Sequence, residues 1–171
     1  MPDFIITATS QVSEADVASA RLGTRFGRMD LASQLALLAV EKLGVDFGDF
    51  SPGRVALCLA ARAGSLSTDV SFWSGRNGAG GPSPTLFAYT LPSAALGEIA
   101  IRHKLTGPDL CLVGGSESVL PEAEELLRRS EADAVVCVYC ELISPEAAKL
   151  IQLPPADSAR AWFVQPAAKI Q

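Results

Sequence analysis

The sequence has no long apolar run and no surplus of basic residues. Its longest apolar stretches, such as residues 35–40 and 134–140, fall far short of the roughly 20 residues that a membrane-spanning helix needs. It carries 14 basic and 19 acidic residues, a formal net charge of −5, without the dense Lys/Arg run that neutralises a phosphate backbone. Both absences argue against a membrane span and against a nucleic-acid partner.

Charged residues are scarce as well. They make up 19% of the chain while hydrophobic residues make up 49%, a balance that excludes intrinsic disorder for most of the sequence. A chain of 171 residues is long enough to bury a core and short enough for one unit. We therefore expect a single domain over residues 1–171.

A recognisable export signal is also lacking. Asp3 stands where a signal peptide carries basic residues, and the apolar segment at residues 4–8 is too short for one. We therefore expect a cytoplasmic protein whose cysteines are reduced. These cysteines are Cys58, Cys111, Cys137 and Cys140.

Apolar runs alternate with helical patterns along the chain, which predicts the α/β class. The runs are continuous in hydrophobicity, which favours a buried, mixed and largely parallel sheet with packed helices. The predicted strands are residues 4–9, 54–61, 110–113, 134–142 and 161–164. The predicted helices are residues 31–43 (capped by Asp30 and ended by Gly44), 93–104, 121–129 and 145–150, with a loop at 10–28 and a mobile Gly/Pro-rich connector at 75–84.

Six segments, taken in order, resemble the N-terminal half of the β-ketoacyl synthases, which belong to the thiolase-fold superfamily. Short motifs such as Gly-Pro or Leu-Arg-Arg are common by themselves, so the resemblance depends on their order and spacing. It implies a thiolase-like N-terminal half that stands alone as one β-ketoacyl synthase N-terminal-like domain. The segments are Gly27–Leu37, Ser83–Pro92, Gly97–Arg102, Leu105–Pro108, Leu127–Arg129 and Ala132–Ala134.

The resemblance also implies where a nucleophile would lie. The family's catalytic cysteine follows the Gly-Pro pair by eight residues, and counting from Pro108 gives Ser116, in an elbow formed with Gly114 and Gly115. Counting back from the Leu-Arg-Arg motif gives Val113 instead, because this segment is shorter than the family pattern. Neither count reaches a cysteine. A serine would need a general base to attack a thioester, so we expect a degenerate nucleophile position at Ser116.

Other candidate chemistry is weak. The family's two assisting histidines lie in a C-terminal half without a counterpart in these residues, and the one histidine, His103, is expected at a helix end. Cys137 and Cys140 match a Cys-x-x-Cys motif, but strand alternation should place them on opposite faces. Cys58 and Cys111 are expected in the core. We expect no metal and no cofactor.

Three functions stay open. The first is a catalytically degenerate ketosynthase-like partner in fatty-acid or polyketide-type biosynthesis. The second is an acyltransferase with Ser116 as nucleophile, and the third is a non-catalytic acyl-binding module. A lone half-fold exposes the apolar face that its other half would cover. We therefore expect a homodimer or a full-length ketosynthase partner, meeting at residues 110–113 and 93–104, with an acyl-carrier protein as a further partner.

Overall fold

The computed structural model describes residues 4–167, which form one sheet with helices on both faces. The strands of this part are β1 (Phe4–Ser13), β2 (Val55–Ala60), β3 (Asp109–Leu112), β4 (Ala134–Ile143) and β5 (Ala156–Pro166). Its helices are α1 (Glu14–Ser19), α2 (Leu31–Glu41), α3 (Leu66–Gly75), α4 (Pro84–Phe87), α5 (Ala94–His103), α6 (Val119–Arg128) and α7 (Pro145–Ile151).

The five strands are arranged in the order β1-β5-β4-β2-β3. β2 pairs in parallel with both β3 and β4, while β5 pairs antiparallel with β4 and β1. The α/β class and the mixed sheet are confirmed. Parallel pairing is confined to β3, β2 and β4. The carboxyl ends of these three strands therefore lie side by side, at the end of the sheet that we call the carboxyl end.

Alternation along the central strands divides the apolar side chains between two cores. On one face, Leu57 and Leu59 of β2 pack with residues of α2 and α5. On the other face, Ala56, Cys58 and Ala60 pack against α6. Every residue of β2 is buried, which accounts for its continuous hydrophobic pattern.

Helix α2 follows its prediction closely. The Asp30 carboxylate accepts a hydrogen bond from the Ser33 backbone N–H, which is the expected N-cap contact. Residues 35–40 are all buried, so the helix packs on most sides. Gly44 adopts the left-handed conformation, with φ +66°, just after the helix ends.

The loop predicted at residues 10–28 is wrong. β1 continues to Ser13, and α1 starts directly after it. The Asp16 carboxylate accepts a hydrogen bond from the Ser13 backbone N–H at 2.9 Å, so a Ser-x-x-Asp capping motif begins this helix. Arg25 then ties the following segment to α5 through Glu98, with 2.7 Å between Nε and Oε2.

The prediction also missed α3 and α4 and shortened β5. β5 extends over eleven residues, although only residues 161–164 were predicted as a strand. The first half of β5 was not predicted because one of its faces is open to solvent and carries polar residues. These are Asp157, Ser158 and Arg160. The segment between α3 and α4 lacks regular structure from residue 77 to residue 83, in the middle of the predicted connector.

Gly107 is required by a close backbone approach. It precedes β3 and packs on the start of β2, where a β-carbon would lie 2.2 Å from the Val55 carbonyl oxygen. The obstacle is backbone, so it cannot rotate away. We expect Gly107→Ala to lower the free energy of unfolding by about 3 kcal/mol, measured by urea denaturation.

Gly97→Ala is the matched control. Gly97 lies inside α5, and a β-carbon there would meet no atom within 4 Å. Alanine at this position should raise stability by about 0.5–1 kcal/mol, because it restricts the unfolded chain and favours helix. Equal effects of the two substitutions would contradict the close approach at Gly107.

Candidate functional site

The chain forms a strand–turn–helix elbow after β3. It turns at Gly114 and Gly115, passes through a short 3₁₀ turn at Ser116–Ser118, and enters α6. The Ala61 N–H donates to the Leu112 carbonyl at 3.1 Å, and the Gly114 N–H donates to the Ala61 carbonyl at 3.3 Å. These bonds fix the elbow to the end of β2. α6 starts at Val119, two residues before the predicted start at Pro121.

Ser116 is hydrogen-bonded to no base among residues 4–167. The side chain is half-buried and makes no hydrogen bond to any other group between residues 4 and 167. A serine hydroxyl becomes a useful nucleophile only when an adjacent base takes its proton. The described part of the chain therefore provides the elbow, and no hydrogen bond within it orients the Ser116 hydroxyl toward a base.

His103 lies far from this elbow. It ends α5 before β3 begins, whereas Ser116 follows the end of β3, so the two residues lie near opposite ends of this strand. Its Nε2 is 3.6 Å from Glu41 Oε1, and its ring packs edge-on against Phe47. Burial lowers the pKa of His103, because it disfavours the charged imidazolium. The position matches the expected helix-end histidine.

A carboxylate covers the elbow instead. A β-carbon added at Gly115 would lie 2.3 Å from Glu117 Oε2 and 2.5 Å from Oε1, so the Glu117 side chain folds back over the turn. Negative charge is favourable before the amino end of a helix. An oxyanion or thiolate formed at the same place would meet that negative charge. The sequence analysis did not identify Glu117, although its position directly after Ser116 was the available signal.

The sequence prediction also missed a second charged group, at the carboxyl end of the sheet. Glu141 is buried near the end of β4, and Arg62, just beyond β2, donates from Nε to its Oε2 at 2.7 Å. The Tyr139 hydroxyl donates to the same oxygen, and burial and this carboxylate raise the pKa of Tyr139 to about 12. Glu141 Oε1 is buried without a hydrogen-bond partner among the described residues. This group adds a second carboxylate near the elbow.

The cysteines lie where strand alternation predicts. Cys137 packs in the α6-side core, paired in register with Cys58, whereas Cys140 packs in the opposite core with its Sγ 3.5 Å from the Ala32 carbonyl oxygen. The divergence of Cys137 and Cys140 is confirmed. Burial raises the pKa of Cys140 to about 12, and burial with the nearby Asp109 raises the pKa of Cys111. Across residues 4–167, no three His, Cys, Asp or Glu side chains cluster as metal ligands.

An aromatic groove of about 470 Å³ opens between α3, α4 and α7. Trp73 is 63% exposed and Phe87 is 61% exposed, and the Phe72 and Phe87 ring centroids are 5.4 Å apart. Leu150 closes the α7 side. Exposed apolar surface of this kind marks a ligand or protein contact. Two of its three helices were absent from the sequence prediction, so the groove was missed.

None of the helices between residues 4 and 167 has both the length and the hydropathy to cross a membrane.

No protein-family model matches the sequence, and no curated protein matches it either. Solved structures do match its fold. The chain superposes on a structure of the ishigamide ketosynthase/chain length factor with a TM-score of 0.80 and 21% identity, over 99% of this chain and 63% of that one. It superposes on the complex of ketosynthase ApeO with its chain length factor ApeC from Xenorhabdus doucetiae with a TM-score of 0.70 and 17% identity, over 96% of this chain and 79% of that one.

A third match is a complex of a type II polyketide synthase acyl-carrier protein with its ketosynthase bound to the hexaketide. Its TM-score is 0.75 at 15% identity, over 98% of this chain and 64% of that one. The chain thus has the thiolase-like fold of ketosynthases and spans less than two thirds of the length of two of these three matched chains. At such identities the likeness establishes the fold.

The charge at the elbow can be measured with an introduced thiol. We expect the thiol of Ser116→Cys to have a pKa about one unit higher than the same thiol in Ser116→Cys/Glu117→Gln, because a nearby carboxylate disfavours the thiolate. The pH dependence of iodoacetamide alkylation, followed on the peptide containing residue 116, gives both values. Glu146→Gln on α7 is the control. If the pKa of the introduced thiol is unchanged when Glu117 is replaced, the carboxylate does not act on position 116.

Proposed function

We propose that this chain is a non-catalytic, ketosynthase-like partner subunit in polyketide- or fatty-acid-type biosynthesis. The observation that carries the proposal is the elbow, where the Ser116 hydroxyl makes no hydrogen bond to a base among residues 4–167 and the Glu117 carboxylate folds back over Gly115. The matched structures support the biosynthetic setting, because they are described as ketosynthases with chain length factors or an acyl-carrier protein.

Condensation needs a nucleophile at the elbow that can hold an acyl chain. A condensing enzyme holds its acyl chain as a thioester on a thiolate, which the positive end of a helix stabilises. Ser116, taken as the equivalent position, offers a hydroxyl, and Glu117 places negative charge where the thiolate or oxyanion would develop. Binding and assembly are therefore the functions left to this site.

The free edge of β3 is the surface we assign to the partner. β3 pairs only with β2 among the described strands. The Leu57 N–H bonds to the Pro108 carbonyl and the Ala61 N–H bonds to the Leu112 carbonyl, so the alternate residues Cys111 and Val113 direct their peptide groups outward. Val113 is 79% exposed. An unpaired edge beside exposed apolar surface is a template for another strand.

The occupant of this edge is a full-length ketosynthase or a second copy of the chain, with an acyl-carrier protein as a further partner of the assembly. In either case residues 1–171 act as one domain.

The aromatic groove supports a second candidate, a non-catalytic acyl-binding module. Its volume of about 470 Å³ and its lining by Phe72, Trp73, Phe87 and Leu150 suit an acyl chain. Binding of octanoyl-coenzyme A that quenches tryptophan fluorescence, and that is lost in Phe87→Asp but kept in Ser116→Ala, would favour this candidate. The partner-subunit function predicts no such binding by the chain alone.

The chain should carry out no acyl transfer. After incubation with malonyl- or octanoyl-coenzyme A, intact mass spectrometry should show unmodified protein, because the Ser116 hydroxyl is hydrogen-bonded to no base that would take its proton. Radiolabelled malonyl thioester should release no carbon dioxide above the protein-free rate. A stoichiometric acyl adduct that disappears in Ser116→Ala would replace this proposal with the acyltransferase alternative.

The β3 edge can be tested without changing the core. Cys111→Pro removes an outward N–H while leaving the peptide groups that bond to β2, so the fold should persist. We expect it to weaken co-purification with a co-expressed full-length ketosynthase by at least about tenfold, the effect of about 1.4 kcal/mol. Cys111→Ala, which keeps the N–H, is the control. Equal retention of the ketosynthase by both variants would contradict pairing at this edge.

A further inference from the structure

Asn77 is the one asparagine in the chain, and a glycine follows it. It lies two residues beyond the end of α3, at the start of the irregular segment that leads to α4. An asparagine in a turn usually holds that turn by bonding its side-chain amide to nearby backbone. The amide of Asn77 makes no hydrogen bond to any group between residues 4 and 167. It therefore maintains no contact in the described part of the chain.

The segment around Asn77 is open to solvent. Every residue from 77 to 85 is exposed, and none from 77 to 83 belongs to a described hydrophobic core. Two backbone hydrogen bonds hold its first part, from the Gly78 N–H to the Gly75 carbonyl at 3.0 Å and from the Gly81 N–H to the Gly78 carbonyl at 2.9 Å. A segment with so few contacts opens at little cost in free energy.

An asparagine followed by glycine can react with its own backbone. The Gly78 nitrogen attacks the side-chain carbonyl carbon of Asn77, Cγ, and closes a cyclic imide, a succinimide. The attacking nitrogen loses its proton to solvent, the bond from Cγ to the side-chain nitrogen breaks, and that nitrogen leaves as ammonia. Water then opens the ring at either carbonyl, which gives aspartate or isoaspartate at position 77. Glycine favours the attack because it has no β-carbon to shield the nitrogen or restrict the backbone.

The turn at Gly78 both opposes the reaction and preserves the reactive pair. Its hydrogen bond to the Gly75 carbonyl engages the attacking nitrogen, although both residues are exposed and water can replace this bond. A β-carbon at Gly78 would lie 3.2 Å from the same carbonyl oxygen, closer than side chains usually approach. The turn therefore favours glycine directly after Asn77.

We propose that Asn77 is a site of spontaneous deamidation, through a succinimide formed with Gly78. The product carries one more negative charge, placed just after the carboxyl end of α3, where the helix macrodipole disfavours it. Its neighbour in the chain is Arg76, whose guanidinium lies 3.7 Å from the centre of the Trp73 ring at the aromatic groove. The modification thus changes the charge beside this groove without an enzyme. This inference does not depend on the proposed partner function.

The first test follows the charge of the folded chain over several days in mildly alkaline buffer. Isoelectric focusing should show a shift by one negative charge, and peptide mass spectrometry should place the change at residue 77. Gly78→Ala puts a methyl group beside the attacking nitrogen, so it should slow the shift at least about tenfold, or about 1.4 kcal/mol in activation free energy. Asn77→Gln is a second control, because its longer side chain would have to close a larger ring.

Circular dichroism checks that each variant folds. An amide that persists at residue 77, or equal rates in the original chain and in Gly78→Ala, would overturn the proposal.

The second test asks whether the folded segment leaves the pair reactive. In guanidinium chloride the chain is unfolded, and deamidation there gives the rate of an unrestrained Asn-Gly pair. The folded chain should react within about tenfold of that rate, because the exposed segment opens easily. A slower folded chain would mean that the bond from Gly78 to Gly75 protects the site, against the proposal. Isoaspartate in the product, labelled by isoaspartate methyltransferase, identifies the succinimide route, and aspartate alone would contradict it.

Discussion

The parallel pairing of β2 with β3 and β4 determines where the residues of the candidate site lie. β2 is buried on both faces and hydrogen-bonded along both edges, so it has little freedom to shift. Its first residue, Val55, leaves no space for a side chain at Gly107, and this contact sets the start of β3. The chain just after it, at Ala61, holds both Leu112 and Gly114. The elbow therefore takes its position from the sheet.

The same parallel pairing brings charged residues together at the carboxyl end of the sheet. Parallel strands end together, so Arg62 after β2, Glu141 near the end of β4 and the elbow after β3 converge. Glu141 is neutralised by Arg62, whereas Glu117 has no cationic partner among the described residues. A site that generated an anionic intermediate would gain from the opposite arrangement, with donors free and carboxylates distant.

Features decided by local hydrophobicity could be predicted from the sequence. β2, β4 and α2 are long apolar runs buried on most sides, and their ends were predicted to within one or two residues. β5 was shortened and α1 missed because half of each faces solvent and carries polar residues such as Arg160 and Asp16. Helices α3 and α4 pack mainly on one another and on α7, so their apolar residues stay exposed and gave no periodic signal.

In the candidate site, too, some features could be predicted from the sequence and others could not. The elbow at Gly114–Ser116 was predicted from the family resemblance, whose spacing after Pro108 leads to Ser116, and the structure has a turn at these residues. The position of the Glu117 carboxylate over Gly115 depends on the conformation of the turn, which the sequence pattern did not indicate. The contact between Arg62 and Glu141 could not be predicted, because these residues meet only after β2 and β4 have paired. In particular, the 79 positions that separate Arg62 from Glu141 carry no local pattern linking them.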